Sequence, residues 1–282
     1  MGEYRYLWPL PDQYEETTEQ IQRYHPGGLH PVHIDERYSS AVGQYRVLHK
    51  LGYGSYSHVW FGQTLASPNS RGVVLKLIAS QCTGKTNEVE INTYLASRSK
   101  EDFGFRNFLF CHDTFQLHGP NGVHNVIVTE PAISLANLPS LGVELDEREV
   151  VRQMFHGLSF LHRHGVVHRD LHLGNIAVEF PFLRTSGVNE IMKASRHPIC
   201  HPCVLSTAVS HPASLPAYLV EKAKFCERFA PLMREEASSI VVKLLDFGCA
   251  FRPGTNDVLA AEQGGPCFFL EGTGMCSCPP PS

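Results

Sequence analysis

The chain has 282 residues, 43% of them hydrophobic, and a net charge of −4, enough apolar material for one large unit or two small lobes. No run of Lys or Arg exceeds two residues, so the basic footprint of a nucleic-acid binder is missing, and no stretch approaches the apolar length of a membrane-spanning helix. The N-terminus is aromatic and acidic without a signal-peptide pattern, and the nine cysteines are irregularly spaced, so an intracellular protein (cytoplasm and/or nucleus) with reduced thiols is expected.

Residues 1–40 mix Pro, Gly, His and Tyr without sustained periodicity and read as an irregular extension, with order expected from about Tyr45. Residues 41–132 then read as a small α+β lobe. Tyr45–Leu51 alternates, Gly52–Ser57 interrupts, His58–Gly62 resumes the strand pattern, Gly72–Ile78 is a β-branched run and Val123–Thr129 is another. Between the last two, Thr86–Ser97 carries Val89, Ile91 and Leu95 at helical spacing. The region 133–252 opens with a helix over 146–164. Asp146 and Glu149 form a capping-box-like start, Val150, Val151, Met154, Phe155, Leu158 and Leu161 are expected on one face, and Gly165 is the stop. A polar loop over Val166–Asn175 leads to a strand at Ile176–Glu179, and a second strand at Ile240–Leu245 runs into Asp246-Phe-Gly248. Between them, residues 181–239 read as a loop-rich insertion with one short helix around Leu219–Phe229, and 253–282 as a disordered tail.

Two patterns that suggest ligand binding fail on spacing. His197, Cys200, Cys203 and His211 offer zinc-type ligands, but without a second CxxC and in a Pro/Ser-rich setting, so no metal is expected there. Thr83-Gly-Lys-Thr86 looks like the end of a P-loop, but the glycine that should open the motif falls on Ala79.

A third constellation holds together. Transfer of a phosphoryl group from ATP needs a backbone cradle for the phosphates, a positioned cation, oxygen ligands for a divalent metal and an oriented nucleophile. Gly52-x-Gly54-x-x-Ser57-x-Val59 supplies a glycine turn between strands, where N–H groups can approach phosphate without a Cβ in the way. On its own such a turn is commonplace, but Lys76 follows 22 residues after Gly54 inside an apolar strand, where a cation needs a partner. Glu88 is the preferred partner and Glu90 the fallback. In His168-Arg-Asp-Leu-His-Leu-Gly-Asn175, Asp170 would accept or orient a hydroxyl proton and Asn175 would bind Mg²⁺, with Asp246 as the second metal ligand.

These motifs, in this order, resemble the eukaryotic protein kinases. A narrower resemblance, to the SR-protein (serine/arginine-rich splicing factor) kinases and their fungal relatives, rests on Tyr24-His-Pro-Gly-Gly-Leu-His-Pro-Val32 and on Tyr45–Trp60 with its Ser57 and Trp60. The resemblance covers about residues 21–252, and the 181–239 insertion sits where that family carries its spacer. It implies a bilobal α+β fold with a complete β-rich N-lobe, Ser/Thr specificity, ATP with Mg²⁺ as cofactors, and a protein substrate that in the narrower family is Arg/Ser-rich. It also implies that Arg169 belongs to the catalytic set with Asp170, Lys76 and Glu88. Leu51, Gly52, Tyr53, Gly54, Ser55, Tyr56, Ser57 and Val59 would cover the nucleotide, Thr129 would be the gatekeeper, and Glu130–Ala132 the adenine-binding hinge.

Two departures carry expectations of their own. His172 stands where Ser/Thr kinases usually place a lysine, and a neutral imidazole would steady the transferring phosphate less well. Only 36 residues follow Asp246, without an Ala-Pro-Glu-like motif, so a chain truncated after this point, with an incomplete helical C-lobe and exposed apolar surface on the 146–164 helix, is expected. Two further readings stay open: a small-molecule phosphotransferase of the aminoglycoside or choline kinase type, suggested by Asp-Leu-His-Leu-Gly-Asn, and a non-catalytic pseudokinase.

Overall fold

The structure, a computed structural model, describes residues 17–65, 70–195, 197–203 and 212–253. Residues 1–16 of the expected extension, His211 and the expected tail from 254 onward lie outside the described residues.

A six-stranded antiparallel sheet forms the first lobe. Its strands are β1 (Arg37–Ser39), β2 (Gln44–Tyr53), β3 (Ser57–Thr64), β4 (Gly72–Ile78), β5 (Cys111–Gly119) and β6 (Gly122–Thr129), in the order β1-β2-β3-β4-β6-β5. Helix α1 (Glu88–Ala96) follows β4 and buries Ile91 and Leu95. β2, β3, β4 and β6 are the four expected strands, and β1 and β5 are additional to them. β5 is an edge strand whose exposed positions carry His112, Gln116 and His118, so its apolar alternation is weak. The sheet core is built from Val47, Trp60, Leu75, Leu77, Val126 and Val128, all nearly inaccessible.

The irregular extension needs a larger correction. Residues 17–34 pack across the sheet, burying Ile21, Tyr24, Leu29 and Val32, and Glu19 makes a fully buried ion pair with Lys50 of β2. Polar and histidine-rich composition hid a segment whose anchors to the sheet are distant in sequence.

The second lobe is organised by α2 (Glu147–Arg163). Asp146 caps it by accepting hydrogen bonds from the N–H groups of Arg148 and Glu149, at 2.9 and 3.4 Å. The reciprocal half of a capping box is absent, because the Glu149 carboxylate turns to Arg152 and Gln153 instead. The buried face is Val150, Gln153, Gly157, Phe160 and Leu161, while Val151 and Phe155 are 48% and 64% exposed, so the six apolar residues do not share one buried face. Gln153 locks the helix to the next layer: its Oε1 accepts from the N–H of Val242 at 2.9 Å and from Asn107 at 3.1 Å. That layer is a small sheet of β7 (Ile133–Ser134), β8 (Ile176–Glu179) and β11 (Val241–Leu244), in the order β11-β8-β7.

Residues 181–239 are more ordered than a loop-rich insertion. They hold α3 (Pro181–Thr185), α4 (Val188–Ala194), a hairpin of β9 (Cys200–Pro202) and β10 (Tyr218–Val220), and α5 (Phe225–Glu235). The helix expected around Leu219–Phe229 is therefore displaced, because Tyr218–Val220 pairs with β9 and the helix starts at Phe225. Among the described residues, no three His, Cys, Asp or Glu side chains converge as a metal site. Within the zinc-like pattern, Cys203 packs beside Ile21, Tyr24 and Leu29, and burial pushes its thiol up to about 11, which disfavours the thiolate a metal needs. Among the described residues, no helix is long and apolar enough to cross a membrane.

One tight point sets the segment after α1 against α2. Gly104 has φ of 89°, and a Cβ there would fall 2.1 Å from the His156 carbonyl oxygen. Gly104→Ala is expected to lower stability by about 3 kcal/mol from strain and overpacking together, measured as a shift in the urea midpoint at unchanged slope.

Candidate functional site

The site is built from the ends of regular elements. β4 presents Lys76, α1 presents Glu88, and the segment after β11 presents Asp246. The Lys76 ammonium lies 2.6 Å from Glu88 Oε1 and 3.0 Å from Asp246 Oδ1, so one cation joins both lobes. Glu90 is exposed. Burial alone would push the Lys76 pKa down, but the Glu88 and Asp246 carboxylates outweigh it and hold the ammonium above its ordinary value. Burial would likewise raise Asp246, and the Lys76 charge, aided by the Gly248 N–H, brings it below the usual carboxylate range. Both groups are therefore ionised at neutral pH.

Asp246 sits in the left-handed region at φ 58°, and its carboxylate accepts from the N–H of Gly248 at 3.2 Å. Phe247 points the other way into the core, against Phe108 and the ring of His168. That opposition of neighbours is how one short turn aims a carboxylate outward while its own position is set by packing. His168 completes the support through its Nε2, 2.8 Å from the Leu245 carbonyl.

The 166–175 loop is tied down at both ends. Val167 exchanges two backbone hydrogen bonds with Phe251, and Leu245 N–H donates to the Asn175 carbonyl. Arg169, at φ 66°, places its guanidinium 5.3 Å over the Phe251 ring and does not line the cleft. Asn175 Nδ2 donates to the Asp170 carbonyl at 2.9 Å and to Asp170 Oδ2 at 3.2 Å. Because a carbonyl oxygen can only accept, this contact fixes which end of the amide is nitrogen and leaves Asn175 Oδ1 to a ligand. His172 caps the following turn by accepting the Gly174 N–H at 3.0 Å, with its Nε2 3.9 Å from Asp170 Oδ2.

Between the lobes lies a cleft of about 570 Å³. Its walls include Leu51, Gly52, Tyr53, Gly54, Ser57, Val59 and Lys76, together with Thr129, Glu130, Ala132, Asn175 and Asp246. Ser55 and Tyr56 do not line it: their carbonyls accept from the Arg23 guanidinium and from the Ala79 N–H. Asp170 also lies outside the wall, beside Asn175 at its edge. The Glu130 carboxylate is engaged elsewhere, 2.5 Å from Lys243, which also lies 3.0 Å from Glu179, so the hinge is anchored to β8 and β11 from below.

Beyond the expected residues, Phe182, Ile191, Phe229 and Met233 from the insertion also line the cleft. α4 packs Val188 and Ile191 against Leu48 and Phe61 of β2 and β3. The signal was present in the spacing of Phe229, Leu232 and Met233, one face of α5.

Asn175 Oδ1 and the Asp246 carboxylate are hard oxygen donors at the cleft wall, which suits a Mg²⁺ that takes its remaining ligands from water and phosphate. The donor set fits the metal that the motifs imply.

No protein-family model matches the chain. Among curated proteins, the chain is 27% identical over 159 residues to serine/threonine-protein kinase KIN4 of Saccharomyces cerevisiae, which covers 54% of this chain and 19% of that protein. Serine/threonine-protein kinase PLK4 of Nematostella vectensis is 31% identical over 143 residues, covering 48% of this chain and 14% of the relative. Among solved structures, the BubR1 kinase domain aligns with a TM-score of 0.46 at 18% identity, over 80% of this chain and 53% of that one. The chain thus spans under a fifth of the length of these curated relatives. Over about half its own length it is similar to Ser/Thr protein kinases, and its architecture is α+β, a β-rich lobe joined to a lobe that carries α2 and a small sheet.

Proposed function

We propose that this chain is an ATP-dependent protein serine/threonine kinase. The observation that carries the reading is the bridging of Lys76 to both Glu88 and Asp246 across the cleft, next to the Asp170–Asn175 pair. Lys76, oriented by Glu88, would hold the α- and β-phosphates beneath the turn from which Gly52, Gly54 and Ser57 line the cleft. Asn175 and Asp246 would hold Mg²⁺, which would supply charge neutralisation on the phosphates. Asp170 orients the hydroxyl of the acceptor and takes its proton. Leu51, Val59 and Ala132, which line the cleft with Thr129, would hold the adenine. A finer placement, near the SR-protein kinases with an Arg/Ser-rich protein substrate in cytoplasm or nucleus, is supported by residues 24–32 and by the position of the insertion.

Thermal unfolding with and without MgATP tests the reading. At a hundred times its dissociation constant the nucleotide is expected to add about 2.7 kcal/mol of stability. Lys76→Met and Asp246→Ala should each abolish the metal-dependent part. Phosphate transfer to protein that disappears in Asp170→Ala supports the catalytic assignment, transfer to small alcohols alone would replace it with a small-molecule phosphotransferase, and binding without any transfer would leave a pseudokinase.

A further inference from the structure

The tip of the glycine loop is tied to the rest of its lobe through backbone groups. Residues 54–56 are exposed, and a Cβ at Gly52 would meet no atom within 4 Å. Three backbone groups of the tip are hydrogen-bonded, and these set the orientation of its peptides. Gly54 N–H donates to the Ser57 carbonyl at 2.8 Å, which closes the turn on itself. The other two reach outside. The Ser55 carbonyl accepts from Arg23 Nη2, and the Tyr56 carbonyl accepts from the Ala79 N–H at 2.8 Å.

Both outside contacts lead back to the segment 17–32. Arg23 belongs to it directly. Ala79 belongs through its neighbours, because Ser80 and Gln81 donate their N–H groups to the carbonyls of Gly28 and Gly27, at 3.0 and 2.7 Å. The turn that joins these two arms needs its glycines: Gly27 has φ of 89°, and a Cβ on Gly28 would fall 2.1 Å from the Arg23 carbonyl oxygen. Leu29 N–H donates to that same Arg23 carbonyl at 2.8 Å, so the backbone of Arg23 is fixed on the inner side of the turn. Below, Ile21, Tyr24, Leu29 and the Glu19–Lys50 pair fasten the segment to the sheet.

A trans peptide directs its C=O and N–H in opposite directions. With the Ser55 carbonyl turned to Arg23, the N–H of Tyr56 points away from the segment; with the Tyr56 carbonyl turned to Ala79, the N–H of Ser57 points away from that strand end. We infer that residues 17–32 are a brace for the glycine loop and that Arg23 is a positioning residue for the phosphates, setting the peptide orientation that makes loop N–H groups available. The inference rests on the nucleotide reading of the cleft.

Amide hydrogen exchange of the unliganded protein tests the brace without any nucleotide. In Arg23→Ala, exchange of the Gly54 amide, which donates to the Ser57 carbonyl and closes the turn within the peptide spanning residues 52–58, is expected to rise about tenfold, the loss of one charge-assisted hydrogen bond that holds the turn. Peptides from β4 and β6 should be unchanged, and Arg23→Lys, which can still donate to the Ser55 carbonyl, should restore most of the protection. Unchanged exchange at 52–58, or a rise spread evenly over the sheet, overturns the brace. Ligand binding then tests its purpose: Arg23→Ala should weaken MgATP about tenfold and leave adenosine, which has no phosphates, within twofold. Equal losses for the two ligands overturn the phosphate-positioning role. Wild-type protein that binds neither ligand overturns the nucleotide reading, and the exchange measurement then decides the brace alone.

Discussion

Lys50→Met is expected to lower the free energy of unfolding by about 3–5 kcal/mol, enough to unfold a large fraction of a marginal domain at room temperature. The Lys50 side chain is 0% exposed and that of Glu19 is 1% exposed, so each ion has given up its water for the other. Glu19 is fully engaged: one carboxylate oxygen accepts from Lys50 Nζ and the other from the Tyr24 hydroxyl. The Lys50 ammonium also lies 5.2 Å over the Trp60 ring, which adds a cation–π contact at a desolvated site. Methionine keeps most of the lysine stem, so little packing is lost, and the cost is that of a carboxylate left buried with a hydroxyl as its main partner. Replacing both ions, Lys50→Met with Glu19→Leu, should recover most of the loss, because a buried pair is about neutral against apolar residues of similar volume. Urea unfolding of the two single variants and the double variant gives the coupling directly. A loss below about 1 kcal/mol in Lys50→Met would be the behaviour of a solvated surface pair and would remove the anchor of the 17–34 segment.

That pair also shows where a sequence stops being readable. Lys76, Glu88, Asp170, Asn175 and Asp246 stand out because phosphate and metal chemistry restricts both the residue type and the spacing. β4 stands out because Val73–Ile78 is an apolar run of strand length, and α2 because Asp146 and Gly165 punctuate a periodic segment. Glu19 and Lys50 are 31 residues apart and Arg23 and Ser55 are 32 apart, with no local pattern that links either pair. The insertion fails for the same reason. Tyr218–Val220 is apolar and short, equally suited to a helix start or a strand, and what decides it is pairing with Cys200–Pro202 across a connection that no periodicity reveals. The consequence is functional. The polar residues that meet at the cleft were legible, Arg23 behind the glycine loop was not, and of the apolar side chains of α3, α4 and α5 at the cleft wall only those of α5 left a sign, in their helical spacing.

The protein is expected to lose stability between pH 6.5 and pH 4, well before its carboxylates alone would require it. The space between the 17–34 segment and the sheet holds His30, His58 and His124, which are 5%, 0% and 0% exposed. The His30 and His124 rings are 5.0 Å apart, and both ring nitrogens of His58 have no hydrogen-bond partner among the described residues. Burial, followed by the neighbouring His124 and His33, pulls His30 down to about 4; burial, followed by Lys50, drives His58 well below its ordinary value; and burial lowers His124. The groups facing them from the segment are Glu19, Arg23, Tyr24 and His33, from β1 Tyr38, and from β2 Lys50. Glu19, the carboxylate among them, is already engaged by Lys50 and Tyr24. Because these folded-state pKa values lie below those of the unfolded chain, the unfolded state binds more protons as pH falls below about 6.5, and stability declines until the folded state can bind them too. For His30 alone, the drop from 6.5 to about 4 corresponds to about 3 kcal/mol, of which about 2 has accrued by pH 5. Urea midpoints between pH 7.5 and pH 5 should therefore fall steeply in the wild type and less steeply in His30→Leu, which carries no proton site at that position. Parallel slopes for the two proteins would mean that His30 titrates as it does in water, and that the segment is not closed over the sheet.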